Sequence, residues 1–196
     1  MKKFWNLFLI LFTLNSGIVA QNSFLVEREI TIDVPASQLW EMVGPGFVEV
    51  YKWSSNVDHA EGQGTSEFTG AVCDERFCDV NVKGFSKISE KLTNYSEKDM
   101  NLRYAVQNGM PGFVNHAEND WTVVPLGPNR SKLIMKGKFE VKGLMGFFMK
   151  GTMEKKMVET LETVLNDAKV YAETGEVSKA KAERIAQLAK KTKKAA

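Results

Sequence analysis

A carboxylate on an apolar strand face is the feature of this 196-residue chain that most demands a chemical account. Glu90 stands between Ile88 and Leu92 in the run Phe85 to Asn94, and two-residue alternation puts all three on one face. A carboxylate there must find a partner or take up a proton. Tyr104 on the next expected strand, with Asn119 and Trp121 on the one after, would add a hydroxyl, an amide and an indole to a polar patch in an apolar pocket. Three readings stay open. In the catalytic one, Glu90 moves a proton while Tyr104 or Asn119 steadies an enolate during cyclisation or dehydration. In the binding one, which is preferred, the same groups orient a ligand's hydroxyl or carbonyl. In the third, Glu90 makes a buried structural hydrogen bond.

Histidine occurs twice, each time in one triplet, His59-Ala60-Glu61 and His116-Ala117-Glu118. On a strand each triplet would set an imidazole beside a carboxylate, and a metal site would need both triplets brought together. The later strand argues against it. Ala117, Asn119, Trp121 and Val123 make its inward set, which leaves His116 and Glu118 outside, so no metal is expected. No cofactor is expected either, because there is no nucleophile elbow, phosphate-binding glycine loop or dinucleotide fingerprint.

The two cysteines are Cys73 and Cys78. On one continuous strand they would lie about 16 Å apart. A disulfide needs Cα atoms about 4.4 to 6.8 Å apart. The expectation is that Asp74 to Phe77 turn, so that a Cys73–Cys78 bridge pins a strand end, as an exported protein permits.

The elements that must position these residues are legible from periodicity. Phe24 to Val34 alternates as a first strand, and Pro35 then opens a short helix carrying Leu39, Trp40 and Val43 that stops at Gly44-Pro45-Gly46. A second short helix holds Phe47, Val50 and Tyr51, and Trp53 follows in a turn. Strands are then expected at Val57 to Gly64, Glu67 to Cys73, Phe85 to Asn94, Met100 to Gln107, Phe113 to Val124 and Lys132 to Val141. The last has Leu133, Met135, Gly137, Phe139 and Val141 on one face. From Leu144 to Gly175 the chain reads as one long helix, with Met145, Met149, Met153, Met157 and Leu161 four apart. It is the one large apolar helix able to cover the sheet. The fold class is therefore α+β, a curved antiparallel sheet of about seven strands around a long C-terminal helix.

That order, with particular residues, resembles the START-like helix-grip superfamily, also called SRPBCC, and most of all its polyketide cyclase/dehydrase and lipid-transport-like branch. The matching residues are Ile32-Asp33-Val34-Pro35-Ala36 with Leu39-Trp40, then Trp53, Gly62-Gln63-Gly64 and Gly70-Ala71-Val72. Ile88-Ser89-Glu90-Lys91-Leu92, Tyr104 with Gly109-Met110-Pro111, and Trp121-Thr122-Val123-Val124-Pro125 complete the match, which spans roughly residues 25 to 172. The resemblance implies a cavity between sheet and helix for an apolar or amphipathic molecule, such as a lipid or polyketide, and implies no single reaction. Its wall would include Trp53, Ile88, Met135 and Phe139 beside the polar patch. Met110 would stand in an entrance loop, Gly109 to Gly112, whose alternative is an ordinary β-turn. Met145, Phe148, Met149 and Met153, near that entrance, would form the adjustable part of the wall, and Met157 through Ala168 a dry spine. The chain departs from the family pattern after Val72, where Cys73-Asp74-Glu75-Arg76-Phe77-Cys78 and a long continuation to Gly84 leave the register open.

The ends set the context. Lys2 and Lys3, the apolar run Phe4 to Leu14 and a small-residue stretch ending at Ala20 have the order of a cleavable signal peptide, so residues 1–20 are expected to be removed and the protein secreted or periplasmic. The ligand-binding domain would be residues 21–175. Residues 176–196 hold seven basic side chains against Glu176 and Glu183, and read as a solvated, partly frayed helix. Export and an acidic body argue against a nucleic-acid partner. A weak membrane-surface contact, or an adaptor role, is the alternative use of that tail.

Overall fold

Seven strands alternate in burial closely enough that one face of the sheet can be read from the side chains alone. The computed structural model describes residues 22–195. The expected signal peptide lies outside them. In chain order the elements are β1 (Asn22–Ile32), α1 (Ala36–Val43), a 3-10 segment (Pro45–Lys52), β2 (Val57–Gln63), β3 (Glu75–Val82), β4 (Phe85–Ser96), β5 (Asn101–Asn108), β6 (Val114–Gly127), β7 (Arg130–Val141), α2 (Gly143–Thr174) and α3 (Lys179–Ala195). The strands form one antiparallel sheet in the order β1-β7-β6-β5-β4-β3-β2. Only the step from β1 to β7 joins strands that are not consecutive, and α1 and the 3-10 segment lie in the excursion from β1 to β2.

The helix-grip architecture follows from what each element must bury. In β7, Leu133, Met135, Phe139 and Val141 are buried on one face. In β6, Ala117, Trp121 and Val123 do the same. Helix α2 covers this face with Met153, Met157, Leu161, Val164, Leu165 and Ala168. It is tied to the first strand by Arg28 Nε donating to Glu162 at 2.9 Å and by Lys169 Nζ donating to the Thr31 carbonyl at 2.8 Å. Its end is set by Gly175, whose φ of 73° is a left-handed conformation that glycine adopts without side-chain strain.

Two expectations fail between β2 and β4. Glu67 to Cys73 is not a strand. It is a loop organised by Asp74, whose Oδ1 accepts from Ser66 Oγ at 2.8 Å and from the Glu67 amide at 3.0 Å. The third strand starts at Glu75 instead, so the segment expected to turn is extended. Residues 75 to 78 alone span about 10 Å at strand rise, and no bridge closes. Cys73 and Cys78 are separate, buried thiols, which corrects the expected disulfide.

The C-terminal segment is more ordered than a frayed tail. Ser178 caps α3, its Oγ accepting from the Lys181 amide at 3.1 Å. That hydroxyl also donates to buried Asp167, whose other oxygen accepts from the Ser55 amide at 2.7 Å and the Ser55 hydroxyl at 2.6 Å. Lys181 is 3% exposed, with its Nζ on the Val57 carbonyl at 2.8 Å, and Arg184 Nε donates to Asp58 at 2.8 Å. The first turns of α3 are thus clasped to α2 and to edge strand β2.

Candidate ligand-binding site

Strand register decides what faces the space between sheet and helix. In β3 the inward set is Arg76, Cys78 and Val80, and the β3–β4 ladder sets Arg76 directly opposite Glu90 and Cys78 opposite Ile88. Arg76 Nε donates to Glu90 Oε2 at 2.6 Å, and both side chains are almost wholly buried, at 3% and 5% exposure. Arg76 Nη1 also donates to the Phe47 carbonyl of the 3-10 segment. The guanidinium carbon lies 3.8 Å from the Phe47 ring centre and 5.0 Å from that of Tyr104, so the cation is held between aromatic faces as well as by its carboxylate.

This ion pair forms one wall of a cavity of about 110 Å³. Strands contribute Ile88, Glu90, Tyr104, Asn119, Trp121 and Phe139, the loop after β5 contributes Met110, and α2 contributes Met157, Thr160, Leu161 and Val164. A second space of about 240 Å³ lies toward the start of α2, bounded by Phe85, Pro111, Phe113, Met149, Met153 and Met157. Phe85 and Met157 belong to both walls and form the partition. Small-molecule pockets commonly hold about 300 to 1,000 Å³, a range neither space reaches alone. Met157 has an unbranched thioether chain suited to moving aside.

The electrostatics favour a fixed ion pair. Burial, the largest single influence on Arg76, would lower its pKa, but the Glu90 carboxylate together with Cys78 and Tyr104 raises it above the ordinary value. Burial raises Tyr104 strongly, with Glu90 adding to the effect, so the phenol stays protonated. Cys78 is pushed up to about 12 by burial, with Arg76 opposing and Glu90 reinforcing the shift. Its thiol points weakly at Glu90 Oε2 across 3.7 Å. The indole Nε1 of Trp121 is buried and has no acceptor among the described residues. It is therefore a cavity-wall residue with an unspent donor.

Set against the sequence expectations, Ile88, Glu90, Tyr104, Met110, Asn119, Trp121 and Phe139 come together around the cavity. Trp53 and Met135 do not reach it. Trp53 is 1% exposed and packs behind Trp121, ring centres 6.3 Å apart, while Met135 lies fully in the core. Of the expected adjustable wall, Met149 and Met153 bound the second space, whereas Met145 and Phe148 point into solvent at 61% and 69% exposure; the helix wall of the main cavity begins at Met157, inside the stretch expected to be a dry spine. The two His-Ala-Glu triplets are on β2 and β6, with three strands between them, so about 19 Å of sheet prevents a shared metal site. His59 pairs instead with its own Glu61 at 3.0 Å. No cluster of three or more metal-ligating side chains occurs among the described residues.

Arg76 is the site residue that sequence reasoning missed. Its signal was present in the alternation Arg76, Cys78, Val80, Val82 that ends at the Lys83-Gly84 turn, but an expected strand at Glu67 to Cys73 left that stretch outside the sheet. Gly109 anchors the loop between β5 and β6 at one end. Its φ is 96°, and a β-carbon there would sit 1.9 Å from the Lys87 carbonyl oxygen, so only glycine lets the loop leave β5 so close to β4.

A family model described as polyketide cyclase / dehydrase and lipid transport matches residues 23–173. Among solved structures, the chain resembles the ZhuI aromatase/cyclase from a Streptomyces species, with a TM-score of 0.60 and 14% identity over 80% of this chain and 99% of that one. A protein from Thermus thermophilus matches with a TM-score of 0.61 and 14% identity, covering 76% and 97% of the two chains. A START superfamily protein from Mycobacterium smegmatis matches with a TM-score of 0.53 and 18% identity, covering 72% and 97%. At these identities the structural likeness speaks to the fold. No curated protein sequence matches the chain.

Proposed function

Since the chain belongs to the polyketide cyclase/dehydrase and lipid transport family, we propose that it is an exported carrier of a small amphiphile, held with its polar end at Trp121 and Asn119 and its apolar length along α2. The observation that carries this reading is Trp121, a wall residue whose buried Nε1 has no partner among the described residues, in a mostly apolar cavity whose one ion pair is already matched. A ligand with a carbonyl or hydroxyl oxygen gives that donor an acceptor. An alkane does not. The apolar length runs past Phe85 and Met157 into the space beside Met149 and Met153, which joins two small voids into one of ligand size.

The catalytic alternative asks Glu90 to move a proton. Here Glu90 accepts the guanidinium hydrogen bond of Arg76, and protonating it would leave a buried cation without its counter-charge. The pair is better suited to holding β3, β4 and the 3-10 segment in register around the cavity than to acid/base chemistry.

Displacement of a cavity-bound fluorescent fatty-acid probe by a medium-chain methyl ketone and by the alkane of equal length tests the reading. The ketone should displace it at lower concentration, by about three- to tenfold, the worth of one ordinary hydrogen bond. Trp121→Phe should remove that preference while the alkane competes as before. Equal competition by ketone and alkane in the parent protein would refute the assignment of the polar end.

A further inference from the structure

Four of the most exposed large apolar side chains are gathered at one place. Leu144, Met145, Phe147 and Phe148, in the first turns of α2, are 75%, 61%, 63% and 69% exposed, and the two phenylalanine rings meet edge to face at 5.5 Å. Other exposed apolar residues, such as Leu25, Val72 and Leu126, stand on separate elements or loops. A cluster of this kind marks a surface that another phase or molecule covers. Five lysines surround it in sequence and structure: Lys142, Lys150, Lys155 and Lys156 on the same helix or its entry, and Lys83 on the β3–β4 turn that shares the second void with Lys156. The acidic residues nearby are Glu140, which Lys138 already meets at 3.3 Å, and Glu154.

We propose that this end of α2 docks on a bilayer containing anionic phospholipid, with Leu144, Met145, Phe147 and Phe148 entering the acyl boundary and the lysines meeting the headgroups. An apolar face rimmed by lysine is the pattern of an interfacial helix. The lysine rim favours anionic lipid over an apolar protein partner, and one placement agrees with it. The second void, bounded by Pro111, Phe113, Met149 and Met153, lies beside the patch, so a docked molecule turns that void toward the lipid. The docking surface is separate from the basic C-terminal helix, whose Lys181 and Arg184 are engaged with Val57 and Asp58. The route from bilayer to cavity rests on the carrier reading above; the docking itself does not.

Among the described residues the hydrophobic core lies between Phe24 and Ala168, all of which a chain beginning at Gln21 contains, and that chain suits the test. Flotation with vesicles of phosphatidylcholine alone and of phosphatidylcholine with phosphatidylglycerol should show binding to the second, weakened by salt. Phe147→Ser with Phe148→Ser should weaken it by about tenfold or more. Each Lys→Gln change at Lys150, Lys155 or Lys156 should weaken it by about fivefold. Lys190→Gln with Lys191→Gln should change it little. Because both phenylalanines are exposed, the double variant should keep the parent's thermal midpoint and its ketone binding in solution. Vesicle binding unchanged by the double variant, or absent from the parent, overturns docking even if ketone binding persists. A parent dimer that the double variant converts to monomer, with no vesicle binding by either, overturns it in favour of a second copy. Normal docking with no ketone binding would leave this proposal standing and refute the carrier reading.

Discussion

The molecule buries charge in two regions, and they are built differently. At the cavity, Arg76 and Glu90 face each other across adjacent strands, and one edge of the pair borders empty space. At the C-terminal clasp, Asp167 is 1% exposed and its two oxygens are filled by Ser55 and Ser178, with Lys181 and Arg184 closing over β2. The clasp satisfies its carboxylate with neutral amide and hydroxyl donors from Ser55 and Ser178. The cavity pair relies on one opposite charge, a carbonyl and two aromatic faces. Burial alone therefore does not mark a functional carboxylate. What separates the two is whether unfilled space and an unspent donor, here Trp121 Nε1, lie alongside.

Breaking one partner of each region should expose the difference. Arg76→Met should cost about 3 to 5 kcal/mol in chemical denaturation, because it strands Glu90 in an apolar site. Adding Glu90→Leu to it should recover much of that loss, whereas additive losses would show that the two charges are not coupled. Asp167→Asn should cost about 1.5 to 3 kcal/mol, the range for hydrogen bonds to a charged acceptor, and should leave ketone affinity unchanged. A loss of ketone affinity with that variant would mean that the clasp also shapes the cavity.

The thiols give a smaller and sharper test of the region between β2 and β4. Unreduced, denatured protein should titrate as two free thiols. In the native state Cys78 should resist alkylation at neutral pH, since its pKa is pushed up to about 12. In the unfolded chain the thiol ionises at its ordinary, lower value, so the folded state holds this proton more tightly. Its contribution to stability is complete below the unfolded value and is lost as pH rises from there through about 12. Cys78→Ala should flatten that alkaline decline.

Much of the fold was legible because its period is strict. The inward sets of β6 and β7, the length of α2 and the Gly175 stop follow from alternation and capping alone. Glu90 could be placed on the inner face for the same reason. Its partner could not, because pairing across strands depends on register, and the Asp74-centred loop shifts β3 by several residues from where apolar content alone would put it. The helix wall was displaced for a related reason. The methionine series marks the buried face of α2 at Met153 and Met157 but not at Met145, which is exposed, and where the cavity lies along that face depends on how far Phe85 and the loop after β5 reach across it. The clasp was invisible because Ser55, Asp167 and Ser178 carry no pattern until α3 folds back.

Whether Trp121 Nε1 meets the polar end of a cavity-bound ligand can be read from the indole N–H region of a proton–nitrogen correlation spectrum during titration with the methyl ketone. Trp121→Phe assigns the signal. The Trp121 indole resonance should move downfield as it gains an acceptor, while that of Trp40, equally buried and unpartnered but outside the cavity wall, stays in place. A saturable ketone titration in which the Trp121 signal does not move would contradict the carrier reading at its centre.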